Sequence, residues 1–545
     1  MTINYKITIK EPSTHRAVVT MSGPWPKDKK QIKLFLPVWA PGSYLVREYA
    51  KNITFGKGTS SNGEVLFSEK ENKNTWVLDL DRSDLSSDIK NFEFSYEVYC
   101  FELSVRTSFI NADHAFLHLP DLLMGSDDLE IINPRLKLDF PKLWSKVHTG
   151  LDDVSNQRDI FEYQASDYDV LIDAPVEIGC HDSTGFKVGG KDHHVIAYGK
   201  LPKNYSQLVE DIKVTTQAVC DFWGEIPYEH YTYMTHFIPG VYGGLEHLNS
   251  TAMQFDPLEV ETRAGKLNYL GLVSHEFFHT WNVKRIRPVE LVHFDYNKEN
   301  YTRMHWLTEG LTSFVDDALL YSCGLTTGKE YTETLVKSVK RLEQTAGRKF
   351  LSLEDSSFDT WTKLYRPNEN SANSNISYYL KGDIAFFCLN AYLTQKGSSI
   401  KEFCALLWQA YKSDTYKGIS KEMVMEMIKK LSDEKVCDLF DDMLATTKEL
   451  PLEECCKLVG LEVVREKATD VSLGLAWELK DNSVWVKSVE IDGAAYKSGL
   501  NARDEVIAAD GLRISQQNYS SWLKTLKENQ SIELTVSRLG ELRTL

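Results

Sequence analysis

The chain has 545 residues, 42% of them hydrophobic and 26% charged, too many for one hydrophobic core, so three or four domains are expected. Its formal net charge of −16 argues against nucleic acid as a partner, because phosphate binding needs a clustered positive surface. No apolar run approaches the length of about eighteen residues that a membrane-spanning helix needs, so no membrane partner is expected.

Residues 1–172 read as a β-rich domain. The N-terminal MTINYKITIKEP alternates apolar and polar residues like a strand. It lacks the apolar core and small-residue cleavage site of a signal peptide, so a cytoplasmic location is expected, although a chain trimmed of an export signal would read the same way. Further alternating segments such as 92–98 are separated by turn signals including Ser22-Gly23-Pro24 and Ser61-Asn62-Gly63. That pattern suits a β-sandwich. The nine cysteines are scattered, and the adjacent pair Cys455-Cys456 lacks the spacing of a metal knuckle, so mostly buried free thiols in a reducing compartment are expected.

Residues 173–452 read as α+β, strands first and helices after. A strand-like 194–198 precedes a helix over Tyr205–Trp223, a strand-like 231–237 and a glycine-marked segment ending Tyr242-Gly243-Gly244-Leu245-Glu246-His247. From 262 to 450 the pattern is mainly helical, interrupted by a polar loop at 366–375. Residues 453–545 return to a β texture with glycine-rich turns, apart from a helix-like piece at 519–528.

The strongest chemical signal is His275-Glu276-Phe277-Phe278-His279, an HExxH within a helical run over 266–283 whose apolar positions recur at helical spacing. Residues four apart share one helix face, so both imidazoles can reach one ion, and Glu276 projects near its open position as a proton acceptor. A catalytic zinc needs a third protein ligand. Glu309, in Trp306-Leu307-Thr308-Glu309-Gly310, is the candidate, delivered from the opening turns of a second helix. The alternative is a pair of core histidines on an apolar helix. Lys284, Arg285 and Arg287 read as favourable charge at a helix end.

The run from His275 through Thr280-Trp281-Asn282-Val283-Lys284-Arg285-Ile286-Arg287-Pro288 resembles the signature of the glycyl aminopeptidases, a gluzincin family. Leu36-Pro37-Val38-Trp39-Ala40-Pro41-Gly42-Ser43-Tyr44 resembles a motif of that family's N-terminal β domain. Ser472-Leu473-Gly474-Leu475, Val484-Trp485-Val486 and Gly493 to Leu500 resemble a PDZ domain, with Arg503 where such domains carry glycine. The resemblance implies a multidomain α+β chain with an N-terminal β-sandwich, a thermolysin-like catalytic domain and a C-terminal PDZ domain. It also implies one zinc ion per chain and peptide substrates with a free N-terminus, glycine or alanine preferred. Gly243-Gly244-Leu245-Glu246-His247 is similar to an exopeptidase loop written GxMEN, which makes Gly243, Gly244 and Glu246 substrate-binding and Glu246 the amine acceptor. Leu245 and His247 depart from that pattern. Tyr379 matches the tyrosine of a YxKG motif and would donate to the oxyanion, with Tyr378 as its rival. The PDZ-like module would capture a C-terminal peptide or serve only for docking. A thermolysin-like endopeptidase, or a catalytically silent PDZ-type scaffold, are the other readings of the same residues.

Overall fold

A computed structural model describes residues 2–85, 89–157, 159–468 and 471–545, and the chain folds into two compact units. The first comprises residues 1–302, 312–332 and 401–424; the second comprises 303–311, 333–400 and 425–545.

In the first unit, the alternation read near the N-terminus becomes strands with one buried face. Along Arg16–Pro24, Ala17, Val19 and Met21 are buried while the residues between them are exposed or half-buried. This strand pairs antiparallel with Asn91–Tyr99, Val19 opposite Tyr96. Among the described residues these strands belong to a ten-stranded sheet, and a five-stranded sheet accompanies it. Tyr5, Met21 and Phe94 of the larger sheet share one apolar cluster with Ile110, Leu117 and Ile178 of the smaller.

A third sheet carries the functional region. Its spatial order is Asp182–Val188, Lys191–Gly199, His230–Phe237, Ser250–Phe255 and Tyr242–Glu246. The three middle strands run parallel, and the helix Tyr205–Trp223 connects Lys191–Gly199 to His230–Phe237 as expected for a parallel pair. Residues of His230–Phe237 and Ser250–Phe255 are almost all buried, which is why these strands lack clean alternation. The glycine-marked segment forms the antiparallel edge strand, Gly244 opposite Met253.

The helix Arg263–Phe278 packs beside this sheet. The Thr262 hydroxyl accepts the Gly265 N–H and caps its start. Phe277 sits against Tyr231 and Tyr233, with ring centroids 4.8 and 5.6 Å away. The helix is shorter than the periodicity predicts: it ends at Phe278, where the chain turns and Lys284 N–H bonds back to the His279 carbonyl.

In the second unit, Trp306–Gly310 forms a π-helical turn packed on the long helix Tyr378–Gln395. The crossing depends on two glycines. A Cβ on Gly382 would lie 2.7 Å from the Gly310 Cα, a backbone atom with little room to move. Gly382→Ala is therefore expected to cost about 1–3 kcal/mol, read as a lower midpoint of denaturant unfolding with an unchanged m-value.

The C-terminal part is a β module with its own core of Val484, Val486, Val506, Trp522, Leu534 and Val536. Among the described residues its sheet has six strands, and the helix-like piece is the short helix Tyr519–Leu523. The polar stretch expected as loop holds a helical turn, Ser371–Ser374. From it, Asn373 donates to the Val489 carbonyl (2.8 Å) and accepts the Ile491 N–H (2.9 Å). No helix among the described residues is long and apolar enough to cross a membrane.

Candidate metal centre and active site

His275 and His279 stand on the same face of their helix, ring centroids 4.7 Å apart and nearly perpendicular. Each ring is oriented by an acceptor. His275 Nδ1 lies 2.8 Å from Asp316 Oδ2, and His279 Nδ1 lies 2.6 Å from the Asn282 carbonyl. A carboxylate and a carbonyl only accept, so both rings carry the proton on Nδ1 and present the Nε2 lone pair. The turn that ends the helix early thus fixes the second imidazole. Glu309, from the π-helical turn, is 2% exposed. The two imidazoles offer ligand atoms within 4.8 Å of each other in the first unit, and Glu309 offers a carboxylate from the second. Two neutral imidazoles and a carboxylate are a donor set that zinc accepts, so the residues present fit the ion.

Glu276 is buried against the edge strand. A Cβ on Gly244 would fall 2.0 Å from Glu276 Oε1, so only glycine lets the carboxylate reach this place. Arg106 donates to the Gly244 carbonyl (3.1 Å) and ties the strand down. Two residues along, Glu246 is 4% exposed, and its Oε1 has no hydrogen-bond partner among the described residues. Gly42, from the LPVWAPGSY motif, closes over this carboxylate: a Cβ there would lie 2.4 Å from Oε1. Gly243 precedes Gly244 on the same strand.

Tyr378 and Tyr379 separate by environment. Tyr378 is fully buried, shares a 2.8 Å hydrogen bond with Thr360 Oγ1 and stacks on His305. Tyr379 is half-buried at the start of the same helix.

Sequence reasoning missed the groups that hold this region in place. Asp173 accepts from Lys284 Nζ (2.6 Å) and from the Leu248 N–H (2.8 Å), and lies 3.4 Å from His247 Nδ1. Burial pushes the Asp173 carboxyl up, but Lys284 and His247 outweigh it and hold it at about 2. Arg285 donates to the carbonyls of Pro227, Leu248 and Thr280 and to Asn249 Oδ1; burial lowers its pKa to about 10. Lys284 and Arg285 are thus internal fasteners between the HExxH turn and the loop after Glu246, rather than helix-end charge in solvent. A basic run directly after the histidine helix was a signal of this, but apart from the Thr280 carbonyl the acceptors of Lys284 and Arg285 named here lie 36 or more residues away in sequence.

Two family profiles match the chain: Peptidase M61 N-terminal domain over residues 4–180 and M61 glycyl aminopeptidase over residues 268–385. The chain belongs to the M61 glycyl aminopeptidase family. The second profile spans His275, Glu276, His279, Glu309 and Tyr379, whereas Glu246 lies outside both. An aminopeptidase N family protein from Idiomarina loihiensis is similar over 100% of this chain and 95% of its own, at 29% identity and a TM-score of 0.93. An M1 zinc metallopeptidase from Deinococcus radiodurans is similar over 83% of this chain and 95% of its own (13% identity, TM-score 0.52). Yeast LTA4 hydrolase is similar over 83% of this chain and 68% of its own (12% identity, TM-score 0.51). The last two share the fold alone. No curated protein matches the chain. This M61 member is accordingly a multidomain α+β chain with a β-rich N-terminal domain and a helical region shared with M1 metallopeptidases.

Proposed function

We propose that the chain is a zinc aminopeptidase whose metal is held by His275, His279 and Glu309. The observation that carries this reading is the pair of Nδ1 hydrogen bonds, to Asp316 and to the Asn282 carbonyl, which leave both Nε2 lone pairs free to take one ion, with the Glu309 carboxylate as its third donor. When bound, zinc lowers the pKa of water towards about 7 and polarises a carbonyl oxygen.

Glu276 acts as general base and then acid: it accepts a proton from the attacking water and returns it to the leaving amine nitrogen. Its burial against Gly244 supports this, since a carboxylate held in a dry, narrow place keeps its aim. Tyr379 donates its hydroxyl to the oxyanion; the consumption of the Tyr378 hydroxyl by Thr360 favours Tyr379 for the task. Glu246 receives the substrate's ammonium. A buried carboxylate oxygen without a partner is costly unless a cation joins it, and a peptide N-terminus is such a cation. The edge strand at Gly243 and Gly244 offers main-chain groups along which the substrate backbone can pair. Preference for glycine or alanine follows from family membership.

The division proposed is 1–172 for the β domain, 173–452 for catalysis and 453–545 for a PDZ-type module. The hydrogen bonds from Asn373 support a docking role for that module, with capture of a C-terminal peptide as its second use. Asp316→Asn is expected to weaken metal affinity about 10- to 100-fold, since it removes the charge that orients His275; a competitive chelator titration reads this.

The deciding experiment is hydrolysis of a glycyl chromogenic amide beside its N-acetylated twin, each with and without chelator. Cleavage of the free amine alone, abolished by chelator and restored by zinc, is the expected result. Equal cleavage of both substrates would make the enzyme an endopeptidase.

A further inference from the structure

Thr235 and Phe237 of the third sheet meet Tyr269 of the HExxH helix, and on the opposite face of that strand three more ionisable side chains meet in a dry place. His114 lies on the strand His114–Leu117, and Glu177 on its antiparallel neighbour Val176–Gly179. Phe116 stands opposite Glu177 and His114 opposite Gly179, so His114 and Glu177 are diagonal neighbours on one face of the N-terminal five-stranded sheet. His236 comes from the third sheet, on His230–Phe237. All three are buried, at 0%, 0% and 2% exposure.

Their hydrogen bonds do not close. Asn111 Oδ1 accepts the N–H groups of Asp113 and His114, which fixes its amide, and His114 Nδ1 lies 3.3 Å from that same oxygen. His114 therefore carries its proton on Nδ1, and Nε2 points a lone pair at Glu177 Oε1, 3.5 Å away. Neither of those two atoms has a hydrogen-bond partner among the described residues. His236 Nε2 lies 2.9 Å from the other oxygen, Oε2, while His236 Nδ1 has no hydrogen-bond partner among the described residues. Two acceptors facing each other inside a protein repel unless a cation lies between them. The ion pairs of Glu177 are with these two imidazoles, and among the described residues no lysine or arginine joins them. Apolar and aromatic groups wall the cluster: Tyr198 stacks on His114 with centroids 3.4 Å apart, and Phe116 meets His236 edge-on at 4.9 Å.

We propose that His114, Glu177 and His236 form a second metal site, for a divalent ion of the zinc type, that ties the N-terminal domain to the third sheet. One ligand atom from each residue lies within 4.8 Å of the others. Each carboxylate oxygen faces a different imidazole, so a chelating Glu177 supplies two donors and the imidazoles two more, the four that a closed structural zinc site takes. The rival is a proton on Glu177 in place of the ion, since burial raises that carboxyl. Placed between two sheets, the ion acts as a staple and takes no part in hydrolysis.

The test is metal analysis of the full-length protein, purified without chelator, per folded chain as judged by circular dichroism. About two zinc ions per chain are expected for the unaltered protein. His279→Ala, which removes a ligand of the catalytic set, should retain about one, and its melting temperature should still fall when that zinc is stripped. Glu177→Gln, a swap of equal size, should lose about one ion while the catalytic set stays loaded. A catalytic site without zinc would lower the unaltered protein to about one ion and leave the His279→Ala value unchanged, so the two readings fail separately. Folded His279→Ala without zinc, or Glu177→Gln with as much zinc as the unaltered protein, would overturn the second site.

Discussion

Glu276→Gln is expected to lower kcat by about 10²–10⁴-fold, the range that a positioned general acid–base contributes, while zinc content stays unchanged. The argument is geometric. Glu276 follows His275 directly and precedes His279 by three residues, so it shares their helix without being a member of the ligand cluster. Its carboxylate occupies the place that a Gly244 side chain would otherwise fill, and glutamine has the same shape, so the fold has no reason to change. What glutamine lacks is the ability to take a proton. Turnover of a glycyl anilide together with metal analysis on one preparation checks this. Zinc lost along with activity would sink the assignment and make Glu276 a ligand or a structural support.

Glu246→Gln is expected to lower kcat/KM for a free-amine substrate by about 10- to 100-fold, matching the 1.5–3 kcal/mol range of a hydrogen bond to a charged group. The residue is buried, Oε1 is unpartnered, and Gly42 packs over it so closely that a Cβ could not be accommodated. Such a carboxylate costs stability in the free enzyme, so the amide should fold at least as stably. A thermal melt separates this from simple damage: a melting temperature held or raised, with kcat/KM reduced, is the expected pair. An unchanged kcat/KM would remove Glu246 from amine binding.

Gly42 also explains why the LPVWAPGSY motif lies in the N-terminal domain although its glycine serves the third sheet. Gly42 follows Pro41 with φ of +86°, and its missing side chain is what lets the Glu246 carboxylate fit beneath it. Within the first unit, the β domain therefore contributes to the wall of the candidate amine site.

Local pattern made several elements legible. Two histidines four apart with apolar neighbours at helical spacing can only present both rings on one helix face, and the helix Arg263–Phe278 does so. Alternation at 92–98 and in the first ten residues predicts strands with one buried face, and period two follows from the pleat wherever one side meets a core. The helix end is not legible in the sequence because Trp281 and Val283 continue the apolar rhythm; both are buried, but in the turn that returns to Ile286. Burial has the same sequence signature in either conformation.

The sequence by itself determined which chemistry the chain is equipped for: an HExxH helix, a carboxylate on a second helix and a glycine-marked strand ending in Glu246. Those are local matters of spacing and residue type, legible without neighbours. Only the tertiary structure decided what orients them. Asp316, 41 positions from His275, sets that ring's tautomer, and Asp173, 111 positions from Lys284, anchors the turn beyond His279. His114, Glu177 and His236 meet from three strands on two sheets with no motif among them. Hydrogen bonds and ion pairs act over a few ångströms of space, and sheet pairing, not sequence separation, determines which side chains come within that reach.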